Sequence, residues 1–410
     1  MTKLTLREKL AILSDAAKYD ASCASSGGEK RDSRQGGIGS SGGSGICHAY
    51  TPDGRCISLL KILMTNFCIF DCAYCINRVS SNVERARFSV EEVVTLTLEF
   101  YRRNYIEGLF LSSGIIRSPD QTMADMVRIA RTLRQVHGFK GYIHLKTIPD
   151  AQAELIREAG LWADRLSINV ELPKDASVRK LAPEKRPETI RAAMAQVRLE
   201  GEAAQDRTHT GRKPRRFAPA GQSTQMIVGA DGADDTAILA CATRLYSGYN
   251  LRRVYYSAFS PIPDTSAALP LIRPPLLREH RLYQADWLLR HYGFTAEEIA
   301  TGTEDGFLDL EVDPKTAWAL KNRGLFPVDV NVAPRDMLLR VPGFGVRVVD
   351  RIVAARRHRA LRVEDLARIG ALTRKARPFV ALPGWSPGGL TDSRDLRARF
   401  APPAQQLQLL

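Results

Sequence analysis

A chain of 410 residues with 44% hydrophobic content can bury one large core and a smaller one, which predicts two domains and excludes a disordered protein. Lysine and arginine number 59 against 45 acidic residues, a formal charge of +14, which favours an anionic partner such as nucleic acid over an acidic small molecule alone. No run approaches the roughly 18 apolar residues of a membrane-spanning helix, so no membrane span is expected.

Residues 1–20 place Leu6, Leu10, Leu13 and Ala17 at helical spacing. They predict a short amphipathic docking helix broken by charges rather than a signal peptide, and the expected compartment is the cytoplasm. The stretch "CASSGGEKRDSRQGGIGSSGGSGIC" is rich in Gly and Ser and reads as a flexible loop, so residues 1–45 form an N-terminal segment. Cys23 and Cys47 stand at its edges, and Cys56 follows nine residues later.

From Ile57 onward short apolar runs alternate with helical patterns, the signature of βα units around a parallel sheet. The first run, "ISLLKILM", delivers at its carboxyl end the segment Asn66 to Arg78, "NFCIFDCAYCINR". Cys68, Cys72 and Cys75 have C-x3-C-x2-C spacing, and the loop holds no fourth cysteine or histidine. Three thiolates on one tight loop suit three irons of a [4Fe-4S] cluster and leave the fourth iron open for chemistry. Zinc is the rival, but structural zinc takes four protein ligands, usually in two knuckles, and no second knuckle is present. Disulfides are disfavoured in the reducing compartment expected here. Cys23, Cys47 and Cys56, with His48 as a candidate fourth donor, are either ligands of a second cluster or three unrelated thiols.

"CIFDCAYC", with the aromatic Tyr74 before the third cysteine, resembles the cluster signature of the radical S-adenosylmethionine superfamily. The resemblance implies that S-adenosylmethionine chelates the open iron and that a reduced cluster, supplied by an electron donor, cleaves it to a 5′-deoxyadenosyl radical. It also implies an open barrel. The strands expected are "ISLLKILM", "GLFLSSG", "GYIHLKTIP", "RLSINVELP", "STQMIVGA" and "RRVYYSAFSPIP". Six βα units fit a partial (β/α)6 barrel over residues 46–275 and fall short of a closed one of eight. Ser89 with Glu92 forms a capping box at the head of the first helix, expected to run to about Arg103. A basic, Pro-containing insertion, "DRTHTGRKPRRFAPAGQ", precedes the fifth strand.

Alternation along a strand puts Ser167, Asn169 and Glu171 on one face, and Tyr142, His144 and Lys146 on one face of the third run. A polar lumen face is unfavourable unless it meets a ligand. By resemblance, Asn169 and Glu171 are candidates for the ribose hydroxyls of S-adenosylmethionine, and Lys146 for a carboxylate or phosphate. Where the family has Gly-Gly-Glu-Pro, this chain has Ser112, Ser113 and Gly114, so carbonyls and a serine hydroxyl would hold the methionine ammonium. Ser260-Pro261 falls at the level where the family packs the adenine.

Residues 276–325 read as a helical linker and 326–400 as a small all-α domain. In "VDVNVAPRDMLLRVPGFGVRVVDRIVAARR" two apolar helical segments are joined by Pro342-Gly343-Phe344-Gly345, which resembles the helix-hairpin-helix nucleic-acid-binding motif. Gly343 and Gly345 let the backbone approach a phosphate, while Arg347 and Arg351 add Coulombic contacts without reading bases. "LRVEDLARIGALTRKARPFV" resembles a second, degenerate hairpin. Residues 326–400 carry 15 basic against 7 acidic residues, a net +8. The two halves together resemble a family of DNA modification or repair radical S-adenosylmethionine proteins. The expected partner is therefore nucleic acid, DNA ahead of RNA. An RNA-modifying enzyme and a non-enzymatic iron–sulfur DNA-binding recruiter are the alternatives.

Overall fold

The computed structural model describes residues 4–17, 45–50, 55–206, 216–262 and 266–401. Chain contacts divide it into two compact units, one of residues 1–232 and 244–274 and one of 233–243 and 275–410. Segments 276–325 and 326–400 thus belong to one unit.

The first unit is built on a seven-stranded sheet whose spatial order follows the sequence: β1 (Ile46–Tyr50), β2 (Cys56–Leu63), β3 (Gly108–Ser112), β4 (Tyr142–Lys146), β5 (Arg165–Ser167), β6 (Gln222–Val228) and β7 (Arg253–Ala258). β1 runs antiparallel to β2 and every later pairing is parallel. The six expected parallel strands are present, and the sheet is a partial barrel. β1 is an addition that the Gly/Ser-rich surroundings hid. The connecting helices are α2 (Val90–Arg102), α3 (Pro119–Gln135), α4 (Ala153–Trp162), α5 (Asp175–Leu181), α6 (Pro187–Gln205) and α7 (Asp235–Tyr249), and α1 (Leu6–Ala16) precedes the sheet. α2 starts where expected: Ser89 Oγ accepts from the Glu92 amide while Glu92 accepts from the Ser89 amide. Val90, Val93, Val94 and Thr97, at helical spacing, are buried.

Parallel strands covered by helices are buried on both faces, and β2 and β3 accordingly are almost wholly apolar. The inward side chains form layers. Lys61, Phe110 and His144 are paired in register across β2, β3 and β4. His144 stacks on Phe110 at 4.1 Å and 7°, Lys61 stands 5.7 Å from the same ring, and His144 Nε2 lies 3.0 Å from Ser167 Oγ. This layer packs the β2–β4 side of the lumen. Leu63, Ser112 and Lys146 sit one step nearer the carboxyl ends, where the lumen opens.

In the second unit α8 (Leu276–His291), α9 (Ala296–Ala300), α10 (Pro314–Lys321), α11 (Arg335–Arg340), α12 (Val346–Ala355) and α13 (Val363–Ile369) pack around an aromatic chain. Phe294, Trp318, Phe326, Phe379 and Phe400 follow one another with ring centres 5.0–6.2 Å apart. The expected second hairpin has one α-helix: α13 ends at Gly370 (φ +77°), and a turn leads to a single 3-10 turn, Arg377–Phe379. Among the described residues no helix is long and apolar enough to cross a membrane.

Gly108 shows how tightly the sheet closes. A Cβ there would lie 2.2 Å from the Tyr142 carbonyl oxygen and 2.8 Å from Leu59, and backbone on a paired strand cannot yield. Gly108→Ala is expected to lower stability by about 1–3 kcal/mol, read as a fall in the urea midpoint of the barrel transition with its slope unchanged.

Candidate active site

The cysteine loop is held from both sides before its thiols are considered. The Arg85 guanidinium donates to the carbonyls of Asn66, Asn77, Arg78 and Ser81, drawing the loop's start and exit together. Asn66 adds a two-sided bond, Nδ2 to Glu84 O at 2.7 Å and Oδ1 from the Ala86 amide at 2.8 Å. The Gly114 amide donates to Thr65 O at 2.8 Å, and a Cβ on Gly114 would fall 2.3 Å from Phe67 O. Glycine is therefore required there by close backbone approach.

Cys68, Cys72 and Cys75 all border one cavity of about 210 Å³ at the carboxyl ends of the strands. Tyr74, Ser112, Ser113, Gly114, Lys146, Asn169 and Glu171 border the same cavity. Ser260 and Pro261 follow β7 and do not border it.

Burial pushes the Cys72 thiol up to about 12 and raises Cys75 as well, with Lys185 the chief opposing charge on Cys72. Left to themselves these thiols stay protonated, and a coordinated metal is what makes such groups thiolates. Among the described residues no three His, Cys, Asp or Glu side chains converge to hold a single metal ion. The loop supplies three cysteines and no fourth cysteine or histidine, a count that suits a cluster with an open iron rather than a structural zinc. The donor set therefore fits a cluster with one iron left for a non-protein ligand.

Two features of the site were not read from the sequence. Lys185, in the α5–α6 connection, bonds Glu171 Oε1 at 2.5 Å and stands 5.9 Å from the Tyr74 ring centre. Burial works against its charge, yet Glu171, then Tyr74 and Cys72, hold the Lys185 ammonium well above the usual lysine range. Glu171 itself is buried with φ +68°, beyond the three-residue β5 rather than within a longer strand. The Tyr74 hydroxyl is buried without a hydrogen-bond partner among the described residues.

The second-cluster proposal meets an obstacle. Cys47 pairs with Leu59 across the β1–β2 hairpin, and Cys56 lies three residues from Leu59 along β2, which places the two cysteines on opposite faces. Cys47 is buried against Ile57, Leu59 and Phe110, and Cys56 is exposed. His48 shares the face of Cys56, not of Cys47. Cys47 and Cys56 therefore do not converge, while Cys23 lies outside the described residues.

In the second unit Gly343 has φ +83°, and its Cβ would sit 2.5 Å from Thr373 Oγ1. Lys315, buried, donates Nζ to the Phe344 carbonyl, and Phe344 is buried beneath the turn. The turn is thus anchored from behind. Gly345 is the N-cap of α12 and supplies no side-chain cap, so the first amides of that helix keep their hydrogen-bonding capacity. Arg347 and Arg351 are exposed one helical turn apart.

The Radical SAM superfamily model matches residues 62–202. No curated protein sequence matches the chain. Among solved structures, the FeFe-hydrogenase maturase HydG from Carboxydothermus hydrogenoformans is 15% identical with a TM-score of 0.43, covering 56% of this chain and 49% of HydG. Methylornithine synthase (PylB) is 15% identical with a TM-score of 0.43, covering 56% and 60%. Coproporphyrinogen III oxidase (HemN) from Escherichia coli is 15% identical with a TM-score of 0.35, covering 55% and 51%. The chain spans about half the length of these proteins. Residues 62–202 are a radical SAM domain, of the superfamily of enzymes that use a [4Fe-4S] cluster and S-adenosylmethionine.

Proposed function

We propose that this chain is a radical S-adenosylmethionine enzyme that modifies or repairs nucleic acid, DNA ahead of RNA, in the reducing environment of the cytoplasm. The observation that carries the enzyme reading is the meeting of Cys68, Cys72 and Cys75 with Asn169, Glu171 and Lys146 on one cavity. When bound, the reduced cluster and S-adenosylmethionine supply a hydrogen-abstracting radical, and the electron comes from a separate donor.

The residues of this chain divide the remaining work. The three cysteines would hold the cluster. Lys185 and Lys146 would offer positive charge to a carboxylate, and the Lys185 ammonium is kept charged by Glu171. Asn169 and the second oxygen of Glu171 would take hydroxyl groups, the carbonyls around Ser112–Gly114 an ammonium, and the Tyr74 ring a planar group. The layer of Lys61, Phe110 and His144 lies beneath the cavity, and substrate would enter from the carboxyl-end mouth.

The nucleic-acid reading rests on the α11–α12 turn, which resembles a helix-hairpin-helix. Uncapped amides at the head of α12 and the exposed pair Arg347 and Arg351 suit a phosphate, in a segment whose net charge is +8. Such contacts read no sequence.

After anaerobic reconstitution and reduction, S-adenosylmethionine is expected to yield 5′-deoxyadenosine, rising when DNA is added and absent in Cys72→Ala. Protein shown to hold its cluster that yields none overturns the enzyme reading and favours a recruiting protein. Lys185→Met is expected to keep its iron content but bind S-adenosylmethionine about 10–100-fold more weakly by equilibrium dialysis, because Glu171 is left buried and unpaired. Removing both Arg347 and Arg351 by alanine substitution is expected to weaken binding alike for unrelated duplex sequences. It should also flatten the slope of log affinity against log salt by about 1–2.

A further inference from the structure

α8 buries Leu282, Ala285, Asp286 and Leu288 and leaves its opposite side uncovered. That side carries Leu277, His280, Gln284, Trp287 and His291, at spacings of three and four, and all are exposed. Trp287 is 50% exposed, against 4% for Trp318 in the core of the same unit. The His291 ring leans on it at 4.2 Å and 51°, and the Arg290 guanidinium stands 5.6 Å from its centre.

We propose that this face of α8, centred on Trp287, is a stacking platform for an unpaired base of a nucleic-acid strand. The proposal rests on the nucleic-acid reading above and gives it a substrate class, a strand with at least one base out of its stack. Three observations select a base over other occupants. The Arg290 guanidinium stands beside the ring, and indole with guanidinium is the pairing that suits a π-faced, anionic ligand. The uncovered face carries no carboxylate: Asp286 is buried and bonds Arg290 Nε at 2.8 Å, and Glu279 is half-buried. A protein partner would want contiguous apolar surface, but Leu277 lies ten residues from Trp287, about 15 Å along the helix, with His280 and Gln284 between them. Burial and then the Arg290 charge hold His291 below the usual histidine range, so at neutral pH it presents an uncharged aromatic ring beside the indole.

The test uses the full chain and fluorescein-labelled 20-mers, thymidine single strands, their RNA counterpart and a duplex, followed by anisotropy at one salt concentration. Trp287→Ala is expected to weaken single-strand binding about 5–100-fold and leave duplex binding unchanged, while Trp287→Phe keeps most of the affinity. Quenching of tryptophan emission by the strand should shrink in Trp287→Phe. Unchanged single-strand affinity in Trp287→Ala, with the wild type still binding duplex, overturns the platform and leaves the hairpin reading standing. Loss with Trp287→Ala but none when Arg347 and Arg351 are both replaced by alanine overturns the hairpin and keeps the platform. A wild type that binds none of the probes overturns both.

Discussion

Burial opposes the ionisation of two of the loop's three thiols, Cys72 and Cys75, so this loop is unfavourable as thiolates until cations are brought to it. The surrounding structure is arranged around that constraint. Arg85 and Asn66 fix the loop through main-chain carbonyls and leave the cysteine side chains uninvolved. Gly114 brings the loop against the end of β3. Lys185 supplies a protein cation that acts on Cys72 and Cys75, and Glu171 keeps it charged. A parallel sheet suits the task, because strands covered by helices on both faces stay rigid while their carboxyl ends deliver loops to one mouth.

How much of this was legible depended on whether a feature is local. Cysteine spacing, the Ser89–Glu92 box and alternation along β4 are set within a few residues, and the structure has them where the sequence put them. Lys185 is different in kind. It follows a short helix and reads as linker, and it reaches the site only because the α5–α6 connection is tied to the cysteine loop. Leu181 O accepts from the Ala73 amide at 2.7 Å, and Glu184 Oε1 from the Asp71 amide at 2.9 Å. Both bonds span over a hundred residues of sequence, and no periodicity encodes them. Glu171 was assigned to the right face for an incomplete reason: alternation gave its side, but β5 stops at Ser167 and a left-handed backbone turns Glu171 into the cavity. Cys47 and Cys56 fail the other way, since sequence proximity suggested a common site and a hairpin with a period of two separates them.

The second unit shows the same division. Apolar spacing marks α12, and Gly343 needs its positive φ. What fixes the turn from behind, Lys315 donating to the Phe344 carbonyl, crosses from α10 and was invisible in the sequence. From the sequence α8 reads only as part of a helical linker. Which of its residues are exposed depends on which face the rest of the unit covers, and that is a tertiary fact.

On the proposed reading the two units contribute different terms to one energy balance. The cavity lies at the carboxyl ends of the strands, inside the barrel, so a reacting base would have to be presented at its mouth, out of its duplex stack. Unstacking and unpairing one base costs a few kcal/mol. Phosphate contacts bind paired and unpaired strands alike and do nothing to offset that term. A ring that stacks on an extruded base contributes about 1–3 kcal/mol to the open state alone. A phosphate grip without such a ring would hold the nucleic acid with its bases still stacked, so a chain that acts on a base this way needs both kinds of contact.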